Sequence, residues 1–383
     1  MGGTEMVTLR GMTWDHPRGY DPLIACSRRW REETGVEIVW EKRSLQGFES
    51  HPVEDLAASY DLIVIDHPHV GEITHHACLL PLDTRDREAD LAALARASVG
   101  RSFESYRWSD RQWALPIDAA TQMQAWRPDR IEKPLPTFDA VMKHAREGRI
   151  ALPLRSPHTL MVYMSIAGGL GADMNAAGDG ALFPEQVGAE AFRLMLALFE
   201  LLDPVMLSAD PIACLEMLAE RNPRFLAAPW VYGYASYSLN GFRPALLRFG
   251  DVPAVAEHGP RGTVLGGTGI CVSARTRHPR EACDFAFWVT SAEVQRTIYA
   301  EAGGQPGHAA AWEDDAVNRR FHDFYRGTRH TIDLAALRPR HHGYMGFQAA
   351  AAERIADALK RREDLSRLAR DVNDLFRGSL VQS

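Results

Sequence analysis

The chain is predicted to be an α/β protein, and three observations carry that prediction. The first third alternates short apolar runs with amphipathic ones: "MVTLRGMTW", "YDPLIACSRRWREETG", "VEIVWEKR", "DLIVID" and "HVGEITHHACLL". A β-α-β-α-β order of this kind implies right-handed crossovers and a mainly parallel sheet. The length, 383 residues, suggests two domains or one large two-lobed body. Composition is that of a globular chain, with 46% hydrophobic and 24% charged residues, so a sizeable core can form without disulfides or metals.

The elements follow in order. "MVTLRGMTW" reads as a strand. The next helix has Pro22 in its first turn, Gly35 as its stop, and an apolar face of Leu23, Cys26 and Trp30. "VEIVWEKR" is the second strand, and "DLIVID" fits a buried parallel strand. "HVGEITHHACLL" looks helical and closes at Pro81. In "YRWSDRQWALPID" two aromatic-rich strands flank the turn "SD". "TFDAVMKHAREG" is a helix with Thr137 as N-cap and Gly148 as stop. In "PEQVGAEAFRLMLALFELLDP", Val187, Ala191, Leu194, Met195, Leu198 and Leu202 share one face. "PIACLEMLAERNP" is another helix and "RFLAAPW" a returning strand. "GTVLGGTGICVSART" is a strand interrupted by glycines. Two helices split near Ser291 follow, and two more close the chain, with Phe347, Ala351, Ile355 and Leu359 on one stripe. No internal repeat or low-complexity tract is evident.

Several function classes are disfavoured. Net charge is −7 and no long run of Lys or Arg occurs, so no nucleic-acid partner is expected. No apolar stretch reaches the ~18 residues of a membrane span. The opening "MGGTEMVTLRGM" lacks the basic and apolar regions of a secretory leader. The five cysteines, Cys26, Cys78, Cys214, Cys271 and Cys283, form no C-x-x-C and read as buried small hydrophobes. One disulfide stays open, without a pair to name.

The pieces taken together resemble the extracellular solute-binding proteins of sugar-type ABC importers, the group around the maltose-binding protein. "DLIVIDHPHVGEITHHACLLPLD" is similar to that family's strand-helix segment ending on Leu-Pro-Leu-Asp. "RQWALPIDAATQMQAW" is similar to its lobe crossover, "PLPTFDAVMKHARE" to its helix start, and "IAGGLGADM" to its Gly-Gly after a long helix. "TVLGGTGICVSARTRHPREACDFAFWVTSAEVQRTIYAEAGGQP" resembles its Gly-Gly-x-Gly strand, Phe-Trp helix and Thr-Ser-x-Glu-x-Gln helix. The resemblance covers more than 300 residues in order. It implies a periplasmic-binding-protein type II fold with two discontinuous lobes and a ligand cleft between them. Lobe one would be residues 5–113 plus 260–310, and lobe two 114–259 plus 311–383. It further implies binding without turnover, no cofactor, a membrane permease as partner, a monomer, and a periplasmic place of work. The absent leader and lipid-anchor cysteine depart from the family pattern, and a cytoplasmic location is the alternative.

Sugars offer C–H faces to aromatic rings and hydroxyl edges to fixed donors and acceptors. Trp14, Asp15 and His16 supply both after the first strand, and Asp66 and His67 follow another. The bland reading is a turn in which Asp15 caps the next segment and Trp14 fills the core. His69 is expected toward solvent. Asp118 and Gln122 lie past "ALPI", where the resembled family frames its cleft. Asp118 is read either as a ligand contact or as a hinge cap. Trp230, Tyr232 and Tyr234 in "PWVYGYASYS" form either a stacking platform or core. Gly266, Gly267 and Gly269 lack the G-x-G-x-x-G spacing of a phosphate cradle. They would instead let backbone approach a ligand, with Gly267 and Thr268 as contacts. The family often has an aromatic where Thr268 stands. Arg155 reads as a surface ion pair. A metal site at His67 and His69 is not expected. Two alternatives stay open: a cytoplasmic hydrolase or lyase using the Asp-His clusters, and a sensor with the same cleft but no permease.

Overall fold

The computed structural model describes residues 6–44, 53–176 and 180–380. Its strands are β1 (Thr8–Trp14), β2 (Glu37–Arg43), β3 (Leu62–Ile65), β4 (Arg107–Trp108), β5 (Arg111–Gln112), β6 (Leu115–Trp126), β7 (Ala227–Tyr232), β8 (Arg248–Gly250) and β9 (Leu265–Val272). The chain divides into two compact units. Unit 1 comprises Met1–Ala119 and Gly267–Asn318, and unit 2 comprises Ala120–Gly266 and Arg319–Ser383. The change-overs fall inside β6, inside β9 and inside the helix Asp315–Arg320. Each lies six to eight residues beyond the lobe limits read from the sequence. The outermost of those limits, residues 5 and 383, lie outside the described residues.

Unit 1 is built on a sheet in the order β2-β1-β3-β9. β1 pairs in parallel with β2 and with β3, while β9 runs antiparallel to β3. The expectation of a mainly parallel sheet therefore holds for three strands. The fourth is delivered from far along the chain, with no short crossover to impose its direction. Leu9, Met12, Ile38, Trp40 and all of β3 are buried. Trp40 lies over Gly11, where a Cβ would come within 2.5 Å of its ring, and its Nε1 donates to Ser27 Oγ at 2.7 Å. The helix Pro17–Thr34 buries Leu23, Cys26 and Trp30, the face expected. It begins earlier than expected, so Pro22 lies inside it. Pro17 takes the first helical position and His16 Nδ1 accepts the Arg18 N–H at 3.0 Å as the cap. Trp30 then meets Phe285 and Trp288 of the helix Pro279–Val289, at ring-centroid distances of 5.8 and 5.2 Å.

One other expectation needs correction here. The helix after β3 spans only Val70–His76, because Ala77 turns left-handed at φ 47°. Leu79 then pairs with Ser273, so the chain reaches Pro81 extended. β4 and β5 do form the expected hairpin, and Ser109 and Asp110 both take positive φ, as a tight two-residue turn requires.

Unit 2 holds the antiparallel strands β7, β6 and β8, with β6 in the middle. All twelve residues of β6 are buried. Two of its polar side chains are tied to neighbouring segments: Gln124 Nε2 donates to Leu135 O at 3.0 Å, and Thr121 Oγ1 to Thr263 Oγ1 at 2.8 Å. The helices His158–Gly169, Glu185–Phe199, Tyr344–Arg361 and Leu365–Leu380 pack on one another, while Pro211–Leu218 packs on β7 and Phe324–Asp333 on β8. His158–Gly169 is buried on every face, as its largely apolar sequence demands. Glu185–Phe199 buries Gly188, Ala191, Phe192, Met195 and Leu198. The predicted face is rotated slightly, leaving Val187 and Leu194 half-buried. The stripe Phe347, Ala351, Ile355 and Leu359 is wholly buried.

Candidate functional site

In unit 1, three loops collect at one end of the sheet. β1 and β3 are parallel, so Trp14 and Ile65 end on the same side. β9 runs the other way and places Gly269 opposite Ile65, which brings Gly267 and Thr268 beside Asp66 and His67. Loops at the carboxyl ends of parallel strands are where α/β proteins place ligand contacts. Asp66 Oδ1 accepts the His67 N–H at 2.8 Å and lies 3.3 Å from His67 Nδ1. His67 is buried, with its ring edge-on to Tyr106 at 6.3 Å. The Tyr106 hydroxyl donates to Ile65 O at 3.3 Å and reaches Gly267 O at 3.5 Å. Gly269 makes room for it, since a Cβ there would stand 2.7 Å from the tyrosine ring. Gly267 takes φ 94°, a conformation glycine adopts without steric cost. Thr268 is buried, and its Oγ1 has no partner among the described residues.

Several sequence expectations in unit 1 shift. Trp14 fills the core with its ring over Gly19, where a Cβ would come within 2.4 Å. Asp15 is not a cap; its carboxylate pairs with Lys42 Nζ at 2.7 Å on the surface, and His16 caps instead. His69 is buried rather than solvent-facing. Asp118, read as a ligand contact or a hinge cap, is instead held by Arg18. Nε donates to Oδ2 at 2.8 Å and Nη2 to Oδ1, and both side chains are 5% exposed or less. Burial pushes the Asp118 carboxyl above its usual range, and Arg18 pulls against that.

In unit 2 a second cluster forms around Tyr232. Gln122 and Tyr232 are direct partners across the β6–β7 ladder. Gln122 Oε1 accepts from the Ser165 hydroxyl, while Gln122 Nε2 is buried without a partner among the described residues. The His158 ring stands 6.1 Å from that of Tyr232, and its Nδ1 is likewise buried and without a partner among the described residues. Burial pushes the His158 imidazole down to about 4, against the opposing pull of Asp210 and with help from Arg155 and Arg338. It is therefore neutral near pH 7. Gly266 brings backbone against Tyr232, since a Cβ there would lie 2.6 Å from the ring. Tyr234 is buried beside it in sequence. Of the two readings of Trp230, platform or core, the structure shows the core: it is fully buried, 6.0 Å from Phe138. Alternation along β7 sends Trp230 and Tyr232 to one face, but only Tyr232 reaches the strand's half-exposed end. Arg155 pairs with Asp210 at 2.8 Å.

Sequence reasoning missed Arg18, Tyr106, His158 and Ser165. His158 carried a readable signal, a histidine opening an otherwise apolar helix after Ser-Pro. Arg18 carried a weaker one, the basic residue two positions after His16 in "DHPR". All five cysteines are free, and four are buried. Among the described residues no three of His, Cys, Asp or Glu gather as metal ligands, and no helix is long and apolar enough to cross a membrane.

Residues 29–320 match the family model described as bacterial extracellular solute-binding protein. The fold is similar to that of an ABC transporter solute-binding protein from Thermotoga lettingae TMO, solved with α-D-tagatose. That likeness has a TM-score of 0.82 and 14% identity, over 98% of this chain and 100% of that one. The maltose-bound MalE3 of T. maritima gives 0.82 and 15%, over 97% and 99% of the two chains. A ribitol-bound solute-binding protein from Agrobacterium radiobacter K84 gives 0.79 and 14%, over 98% and 100%. At such identities these likenesses establish the α/β fold. The match to the family model spans most of the sequence, and the chain belongs to the bacterial extracellular solute-binding proteins.

Proposed function

We propose that this protein captures a neutral polyhydroxylated solute, a sugar, sugar derivative or polyol, and delivers it unchanged to an ABC importer permease outside the cytoplasmic membrane. The observation that carries the solute class is that, of the buried polar atoms without partners among the described residues, Gln122 Nε2, His158 Nδ1 and Thr268 Oγ1 lie in or beside the two candidate clusters. Buried donors and acceptors are ordinarily satisfied, and leaving one unmade costs about 1–3 kcal/mol. A hydroxyl both donates and accepts, so it can serve a neutral imidazole, an amide and a threonine alike. The neutrality of His158 argues for uncharged partners at that position.

In this reading the candidate contacts in unit 1 are Asp66, His67, Gly267 and Thr268, and those in unit 2, taken by themselves, are Gln122, Tyr232 and Tyr234. The Tyr232 ring takes a C–H face of the solute. Trp14, Asp15, His16, Asp118 and Trp230 serve by holding the surrounding backbone. Relatives of the same fold carry tagatose, maltose and ribitol, which supports the same class of cargo here. The protein works as a monomer and performs no chemistry on the solute. Calorimetric titration of the bound solute class tests this. Tyr232→Ala and Gln122→Ala should each weaken binding at least about tenfold, or ~1.4 kcal/mol. Unchanged affinity in both would remove the assignment.

A further inference from the structure

Where β6 ends and β7 begins, three arginines from three separate segments converge. Arg130, Arg149 and Arg224, with Asn222, Pro223 and Leu226, line a cavity of about 440 Å³. Trp126 pairs with Ala227 at this end of the ladder, whereas Gln122 pairs with Tyr232. Four residues of strand, roughly 13 Å, separate the cavity's end from the Tyr232 cluster. No carboxylate is among the described residues that line it. The carboxylates stand beside the arginines instead. Asp129 lies 3.4 Å from Arg130, Glu147 3.0 Å from Arg149, and Asp203 pairs with Arg224. Asp129 is itself taken by Arg127, whose Nε and Nη2 donate to it at 2.8 and 2.9 Å. Arg127 Nη1 is held by the Leu218 and Glu220 carbonyls at 2.9 and 2.6 Å. Among these side chains four guanidiniums share three carboxylates, a local excess of positive charge on a chain of net charge −7.

We infer that this cavity binds a phosphate-type oxyanion, clamped by Arg130, Arg149 and Arg224. Each guanidinium presents five N–H donors in a planar fork that matches phosphate oxygens, and one carboxylate engages only part of it. The flanking acids hold the forks in place, so less side-chain freedom is lost when the anion arrives. A neutral solute has no use for three guanidiniums, which sets this cavity apart from the Tyr232 cluster. The same chemistry is offered by free inorganic phosphate and by a phospholipid headgroup.

The test titrates inorganic phosphate into the full chain by calorimetry at low ionic strength, with chloride as the control. A parallel sedimentation uses phosphatidylglycerol vesicles. The double variant Arg149→Gln with Arg224→Gln is the comparison. Both side chains are about half exposed or more, so the fold should tolerate it, and an unchanged unfolding midpoint verifies this. Phosphate binding weakened at least tenfold in the variant supports the inference with free anion as ligand. Vesicle binding lost in the variant, without binding of free phosphate, supports it with a headgroup as ligand. Binding of neither, or binding that the variant retains in full, overturns it. Since sugars and polyols play no part in the assay, failure here leaves the solute assignment standing.

Discussion

Arg18 and Asp118 show how a buried charge constrains what can be substituted. With the pair almost sealed from water, removing one partner strands the other. Arg18→Met should destabilise unit 1 by about 3–5 kcal/mol, whereas Arg18→Met with Asp118→Leu should recover much of that loss. Denaturant unfolding of the three chains measures it. Trp230→Ala belongs to the same class of test: a buried tryptophan cut to alanine costs about 3–5 kcal/mol of stability. It therefore reports on the core and not on the ligand. His158 gives a pH signature. Its imidazole titrates near 6.5 in the unfolded chain and near 4 in the fold. Between those values the unfolded chain holds the extra proton, so stability falls as pH drops through that window and is complete above it. The loss amounts to about 3 kcal/mol at most. His158→Gln should flatten this part of the stability–pH curve, and an unchanged curve would show that another group titrates there.

At the scale of elements, close backbone contact decides more than propensity does. The helix His158–Gly169 touches the segment before β9 through two glycines. A Cβ on Gly168 would stand 2.5 Å from Gly262 Cα, and one on Gly262 2.1 Å from Gly168 C, with Gly262 at φ 84°. Gly262→Ala should therefore cost more than about 1 kcal/mol, through both clash and left-handed strain, measurable as a lowered unfolding midpoint. Elements with strong periodicity were legible from sequence: the Leu23-Cys26-Trp30 face, the Thr137 cap, the C-terminal stripe. Thr137 Oγ1 does accept the Ala140 N–H, at 3.3 Å. Features that depend on distant chain were not. The antiparallel entry of β9 and the extended stretch before Pro81, where Leu79 pairs with Ser273, answer to partners far away in sequence, whereas the early start of the first helix rests on the local His16 cap and Pro17. The candidate site divides the same way. Asp66, His67 and Tyr232 were candidates because polar or aromatic residues stand at strand ends, and Gln122 because it follows "ALPI", the stretch that resembles the family's crossover. The grip of Arg18 on Asp118 spans one hundred positions, and "DHPR" marks only a basic residue, not its distant partner.

For the whole molecule, family membership sets the expectation of capture, and the proposed solute class rests on the unsatisfied buried atoms of the two clusters. A ligand that binds only the folded chain at ~100 times its dissociation constant adds roughly 2.7 kcal/mol of stability. For a protein of this length that is a shift of several degrees. The decisive measurement is thermal unfolding against a panel of sugars, polyols, sugar acids and amino-acid derivatives, with the solute recovered and checked for chemical change. The account predicts stabilisation by a neutral sugar or polyol, loss of that stabilisation in Tyr232→Ala, and a solute returned intact. Stabilisation only by charged solutes, or a solute consumed during incubation, would contradict it.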